Sequence, residues 1–134
     1  EDEVSILIDH SKSQPLDRLR PVITREDLSN LRAASKSVRF SDELRHYVVQ
    51  IVASTRRHPS IQLPASPRAS LALMQLSQAM ALFEGDEFVT PEHIQSVAAD
   101  VIAHRLSLTP EARYGGINAR HIVAQLLESQ PVPA

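Results

Sequence analysis

Ser66-Pro67-Arg68-Ala69-Ser70-Leu71-Ala72-Leu73-Met74-Gln75-Leu76-Ser77-Gln78-Ala79-Met80-Ala81-Leu82-Phe83-Glu84-Gly85 is the stretch that decides the fold. Ser66 suits an N-cap, Pro67 the first helical position, and Gly85 the left-handed residue that closes a helix. Ala, Leu, Met and Phe fill most positions between them and leave little polar face. A helix of that make-up is expected to be central and buried on most sides. Arg68 is its anomaly. A cation in the first turn opposes the helix dipole, at about 0.3–1 kcal/mol if unpartnered. It either recruits an anion, which the guanidinium fork and the first-turn amides would hold together, or it turns to solvent or to a nearby carboxylate.

Working outward, the other segments also follow the 3.6-residue period. Val4, Leu7 and Ile8 mark a short helix over residues 2–12, and Pro15 ends it. Leu16, Leu19, Val22 and Ile23 give the connector that follows apolar handles. Thr24 caps a helix with Asp27 as its capping-box partner, Leu28 and Leu31 facing inward and an end near Ser37. Ser41 caps another, whose inward positions are Leu44, Val48, Ile51, Val52 and Thr55. Pro59 and Pro64 make the segment from His58 to Ala65 a loop. Thr90 caps a helix with Pro91 at its first position and Ile94, Val97, Ala98, Val101 and Ile102 inward. Beyond Thr109-Pro110, a loop holding Gly115-Gly116 leads to Asn118, the cap of a last helix that buries Ile122, Val123, Leu126 and Leu127. The extended pieces Val38-Arg39-Phe40 and Glu87-Phe88-Val89 share the order strand, hydroxyl cap, acid and helix, and could pair as a very short two-stranded ribbon. The fold class is therefore all-α, five to six helices, with room for that ribbon.

Composition narrows the chemistry. The 134 residues suit one domain, 1–134, and a net charge of −2 gives no overall field for nucleic acid or anionic membrane. Twelve arginines invite a DNA-binding reading, but they are scattered along an acidic chain. Cysteine is absent, and no 18-residue apolar run suggests membrane insertion. The two lysines, Lys12 and Lys36, lack neighbouring glycine, so no phosphate-binding loop of the Walker type is present. The six histidines show no metal-ligand spacing, which gives no metal site, and no serine sits on a nucleophile elbow. A segment opening on Glu1 instead of Met is expected to be a piece of a longer protein, and to catalyse nothing alone.

The landmarks in order are Thr55-Arg56, Ala65-Ser66-Pro67-Arg68-Ala69, the turn Gly85 to Val89, Val89-Thr90-Pro91-Glu92-His93-Ile94, His104-Arg105-Leu106, Glu111-Ala112 and the close Ile122 to Pro133. Together they resemble the C-terminal helical lid of a MoxR-type AAA+ ATPase. The resemblance implies a lid that follows an α/β nucleotide-binding subdomain, in a cytoplasmic, hexameric, chaperone-like ATP hydrolase that remodels client proteins. By that pattern Arg68 is the sensor 2 arginine, reaching the γ-phosphate of the ATP that the intact parent holds with Mg²⁺, with Ser66 and Pro67 setting the helix start that aims it. The fragment alone would bind no ATP tightly. Pro64 stands where the family often has Gly, and Gly85-Asp86-Glu87-Phe88 where it tends to have Gly-Arg-Asp-Tyr. Neither departure touches Arg68. The rival reading is a free-standing helical interaction module without nucleotide dependence. For Arg56, Arg57 and Arg105, all near helix C-termini, capping of the dipole competes with an interface role.

Overall fold

The structure, a computed structural model, describes Val4 and residues 19–133 and divides the chain into two units, Glu1–Leu31 and Arg32–Ala134. Apart from helical Val4, the helix expected over residues 2–12 lies outside the described residues. In the first unit Thr24 and Asp27 form the expected reciprocal cap: the Thr24 amide donates to Asp27 Oδ2 at 2.8 Å and the Asp27 amide to Thr24 Oγ1 at 3.0 Å. That cap starts α1, Arg25–Ser37. Leu28 and Leu31 do not face inward but stay exposed, as do Leu19, Val22 and Ile23 of the connector. Two leucines one turn apart among charged and small residues make too narrow an apolar stripe to hold a helix down.

In the second unit the chain leaves α1 extended, and Arg39 meets Phe88 in one parallel bridge, the Arg39 amide donating to Glu87 O and the Val89 amide to Arg39 O. The anticipated ribbon is reduced here to that bridge. Next comes α2, Asp42–Ser54, where Ser41 accepts from the Leu44 amide at 3.2 Å and Leu44, Tyr47, Val48, Ile51 and Val52 are buried. After the 3₁₀ turn Thr55–Arg57, the segment expected to be a loop carries strand β1, Ile61–Leu63. It pairs antiparallel with β2, Ser107–Leu108, in an irregular register. Pro59 and Pro64 flank β1 without entering it, so no ladder donor is lost.

Helix α3, Pro67–Glu84, ends at Gly85 with φ of 85°, and α4, Pro91–Ile102, packs along it. A further 3₁₀ turn, Ala103–Arg105, leads into β2. Two more helices complete the unit: α5, Pro110–Tyr114, capped by Thr109 inside the expected loop, and α6, Ala119–Ser129, capped by Asn118. The six helices and small sheet among the described residues agree with the all-α class. The main core joins α2, α3, α4 and Val123 of α6. A smaller cluster, Leu108, Ala112, Ile122 and Leu126, lies against Ile61 and Ala119.

α3 departs from its expected burial. Ala69, Leu73, Ser77, Gln78 and Ala81 are buried, whereas Leu71 is 57% and Phe83 78% exposed, and Leu76 is exposed too. One side of the helix enters the core and the other stays bare.

Candidate functional site

The approach to Arg68 is fixed from behind. Thr55, 1% exposed, donates its hydroxyl to Val52 O at 2.6 Å and accepts the amide of buried Ala65 at 3.2 Å. The turn that ends α2 is thereby tied to the residue just before the α3 cap. Ser66 occupies the cap position with extended backbone, but its hydroxyl makes no capping bond, and its carbonyl accepts from the Ala69 amide at 2.8 Å. Pro67 has no amide to offer, so this helix end presents fewer oriented donors than a helix start ordinarily does. Any anion held here depends mainly on the guanidinium.

Arg68 is exposed and makes no ion pair among the described residues. At 100° per residue it shares one face of α3 with Leu71, Ala72, Gln75, Leu76, Ala79 and Phe83. This face is apolar except for Gln75 and Arg68 itself, and runs about 22 Å along the helix. The cation thus heads a bare hydrophobic band.

The other arginines behave differently. Arg105 donates Nε–H to Val101 O at 3.0 Å, closing the end of α4 as the dipole favours. Arg120 pairs with Asp100, and Arg45 with Asp42. Arg56 and Arg57 are exposed on the 3₁₀ turn after α2.

Among the described residues, Glu84, Asp86 and His93 bring three ligand-type atoms within 4.8 Å of one another. Their hydrogen bonds describe a structural clamp. The Thr90 amide donates to His93 Nδ1 at 2.9 Å, which makes that nitrogen an acceptor and puts the ring proton on Nε2. Nε2–H then donates to Glu84 Oε2 at 3.0 Å, with Asp86 Oδ2 at 3.4 Å. A histidine ligand needs the opposite arrangement, its free lone pair toward the ion and its proton on the outer nitrogen. His93 instead completes a capping box for α4 and joins it to the end of α3.

Sequence reasoning placed Arg68 and its helix start but passed over two supports. The sequence reading takes Thr55 as the last inward position of its helix and as half of the Thr55-Arg56 landmark, although a hydroxyl closing an apolar stripe signals a bond to the backbone. His93 stands three residues after its cap, the position that Glu or Gln takes in the usual capping box.

Residues 53–126 match the AAA lid domain family. The chain belongs to the AAA lid domain family. Among curated proteins the lid is 42% identical to the uncharacterized protein YeaC of Bacillus subtilis over 98% of its length, and 28% identical to the chaperone MoxR1 of Mycobacterium tuberculosis over 85%. It spans 41% and 33% of those two proteins. The crystal structure of a candidate ATPase from Cytophaga hutchinsonii matches 98% of the lid at a TM-score of 0.83 and 26% identity, the lid covering 43% of that chain. These relationships put the lid in the MoxR-like branch of the AAA+ ATPases. No helix among its described residues is long and apolar enough to cross a membrane.

Proposed function

We propose that Arg68 is the sensor 2 arginine of a MoxR-type ATPase, contacting ATP held with Mg²⁺ by an α/β subdomain and coupling nucleotide state to lid position. The observation that supports this reading is an exposed guanidinium, unpaired among the described residues, at the head of a bare apolar face. Such a face favours coverage by another protein surface, and a surface seated on it would meet Arg68 at its edge. A planar, permanently charged fork holds phosphate oxygens with direction, and in phosphoryl transfer its contribution is positioning and electrostatic stabilisation, with no proton moved. Ser66 and Pro67 serve by setting the helix start, and Thr55 by fixing the loop before it.

The parent is read as a cytoplasmic, hexameric, chaperone-like ATP hydrolase that remodels client proteins. Kinship with a protein named as a chaperone and with a candidate ATPase supports this reading. The test is Arg68→Ala in an intact parent. ATP turnover should fall at least about tenfold, equivalent to about 1.4 kcal/mol, and Arg68→Lys should recover little of it because the point charge lacks the fork. Turnover unchanged by Arg68→Ala refutes the role. The lid alone should show no micromolar ATP binding by calorimetry.

A further inference from the structure

A groove of about 1070 Å³ opens on the second unit; Thr55, Ser66, Pro67 and Arg68 do not line it, and Gln75 of the bare α3 face borders it. Its floor is apolar, with Phe40 and Leu44 buried and Met74 partly so, and Phe88 stands 52% exposed on its wall. Three cations line it, Lys36, Arg39 and Arg45, against one lining carboxylate, Glu43. Among the described residues the two arginines form solvent-exposed ion pairs, Arg39 with Glu87 at 3.8 Å and Arg45 with Asp42. Pairs of that kind contribute little and yield readily to a better anion. Arg39 also lies over the Phe88 ring, 5.8 Å from its centroid, so aromatic surface and positive charge are offered together.

What fits is indicated by the chain itself. Beyond α6 the backbone runs through Pro131-Val132-Pro133, and Pro133 reaches the groove wall. Proline-bearing extended segments suit aromatic-lined grooves because their backbone is stiff before binding and loses little freedom on docking. Gln130 to Pro133 bring proline but no acidic side chain to the lining cations.

We propose that this groove binds an extended, acidic, proline-containing segment of a partner protein, and that the chain's own tail is a weak resident which the partner displaces. Prolines of the segment pack on Phe88 and Met74, and its carboxylates meet Lys36, Arg39 and Arg45. The site needs neither Arg68 nor nucleotide, so it stands or falls apart from the function proposed above.

Fluorescence anisotropy on the 134-residue chain tests it. The probe is a labelled peptide of about twelve residues alternating Pro with Glu and Leu, long enough to span the groove as a polyproline helix. Binding should saturate and weaken with salt. The double variant Arg39→Glu/Arg45→Glu should weaken it at least about tenfold, and Phe88→Ala by a similar factor. Removing residues 131–134 should strengthen it. All three positions substituted are exposed, and circular dichroism of each variant checks that its helices persist. Peptides with Gln for Glu, or with Gly for Pro, should bind poorly. No saturable binding to the truncated chain overturns the proposal. So does equal binding of the Gly peptide, which would make the groove a general anion patch, or tighter binding of a DNA duplex, or closure of the groove by a second copy in sedimentation equilibrium.

Discussion

Single residues hold this lid's geometry by satisfying backbone groups. Thr55→Ala removes the acceptor for the buried Ala65 amide and the hydroxyl bonded to Val52 O, and should cost about 1–3 kcal/mol in urea unfolding, with Thr55→Ser recovering much of it. Gly85 poses a purely conformational constraint. Its φ of 85° disfavours any side chain, yet an added Cβ would meet nothing within 4 Å. Gly85→Ala should therefore lower stability by about 1 kcal/mol through backbone strain alone, measurable as a lower midpoint with unchanged m-value. Both effects were unequally legible. The C-terminal glycine announces itself after a long apolar run, whereas the partner of a buried threonine is ten residues away and only the folded loop brings them together.

At the scale of elements, the helix starts were the most legible feature, because a cap is a contact within three residues. Ser41, Thr90 and Asn118 occupy their expected N-cap positions, whereas Thr109 caps a helix inside a segment expected to be a loop. Those starts make stability depend on acid. The carboxyl of Asp27 is held below its ordinary range by the Thr24 hydroxyl and amide, that of Glu43 by its own amide and Ser41, and that of Glu92 by the Thr90 hydroxyl and its own amide. A depressed carboxyl contributes stability above its unfolded pKa and loses it as pH falls through the folded value. Helix signal should thus decline below about pH 4 and recover on neutralisation, and Asp27→Asn with Glu43→Gln and Glu92→Gln should flatten that limb in a circular dichroism titration. Strand β1 was illegible for the opposite reason. Three residues between prolines carry no usable period, and their partner lies more than forty positions on. The outer face of α3 was misjudged because a single-chain apolar pattern cannot distinguish a surface covered within the unit from one that is left bare. Leu71→Gln and Phe83→Gln should change the stability of the lid by no more than about 0.5 kcal/mol, while in the parent protein, under the function proposed above, they should lower ATP turnover.

For the molecule as a whole, the aliphatic composition translates into a main core in which Ile51, Leu73, Ile94 and Val123 are fully enclosed. Leu73→Ala should cost about 2–5 kcal/mol, because rigid helices on several sides leave the cavity unfilled. The corner formed by the β1–β2 pair, α5 and the lower part of α6 rests on only four buried residues of its own. Neighbouring Ile122 and Val123 of α6 belong to different clusters, so this helix rivets the corner to the rest. Such a layout gives one polypeptide two melting energies. Amide protons of α5 and the strand pair should exchange with deuterium through local opening, well before those of α2 and α4, which await global unfolding. On that expectation the strand pair and α5 open as a tab while the body beneath keeps its shape.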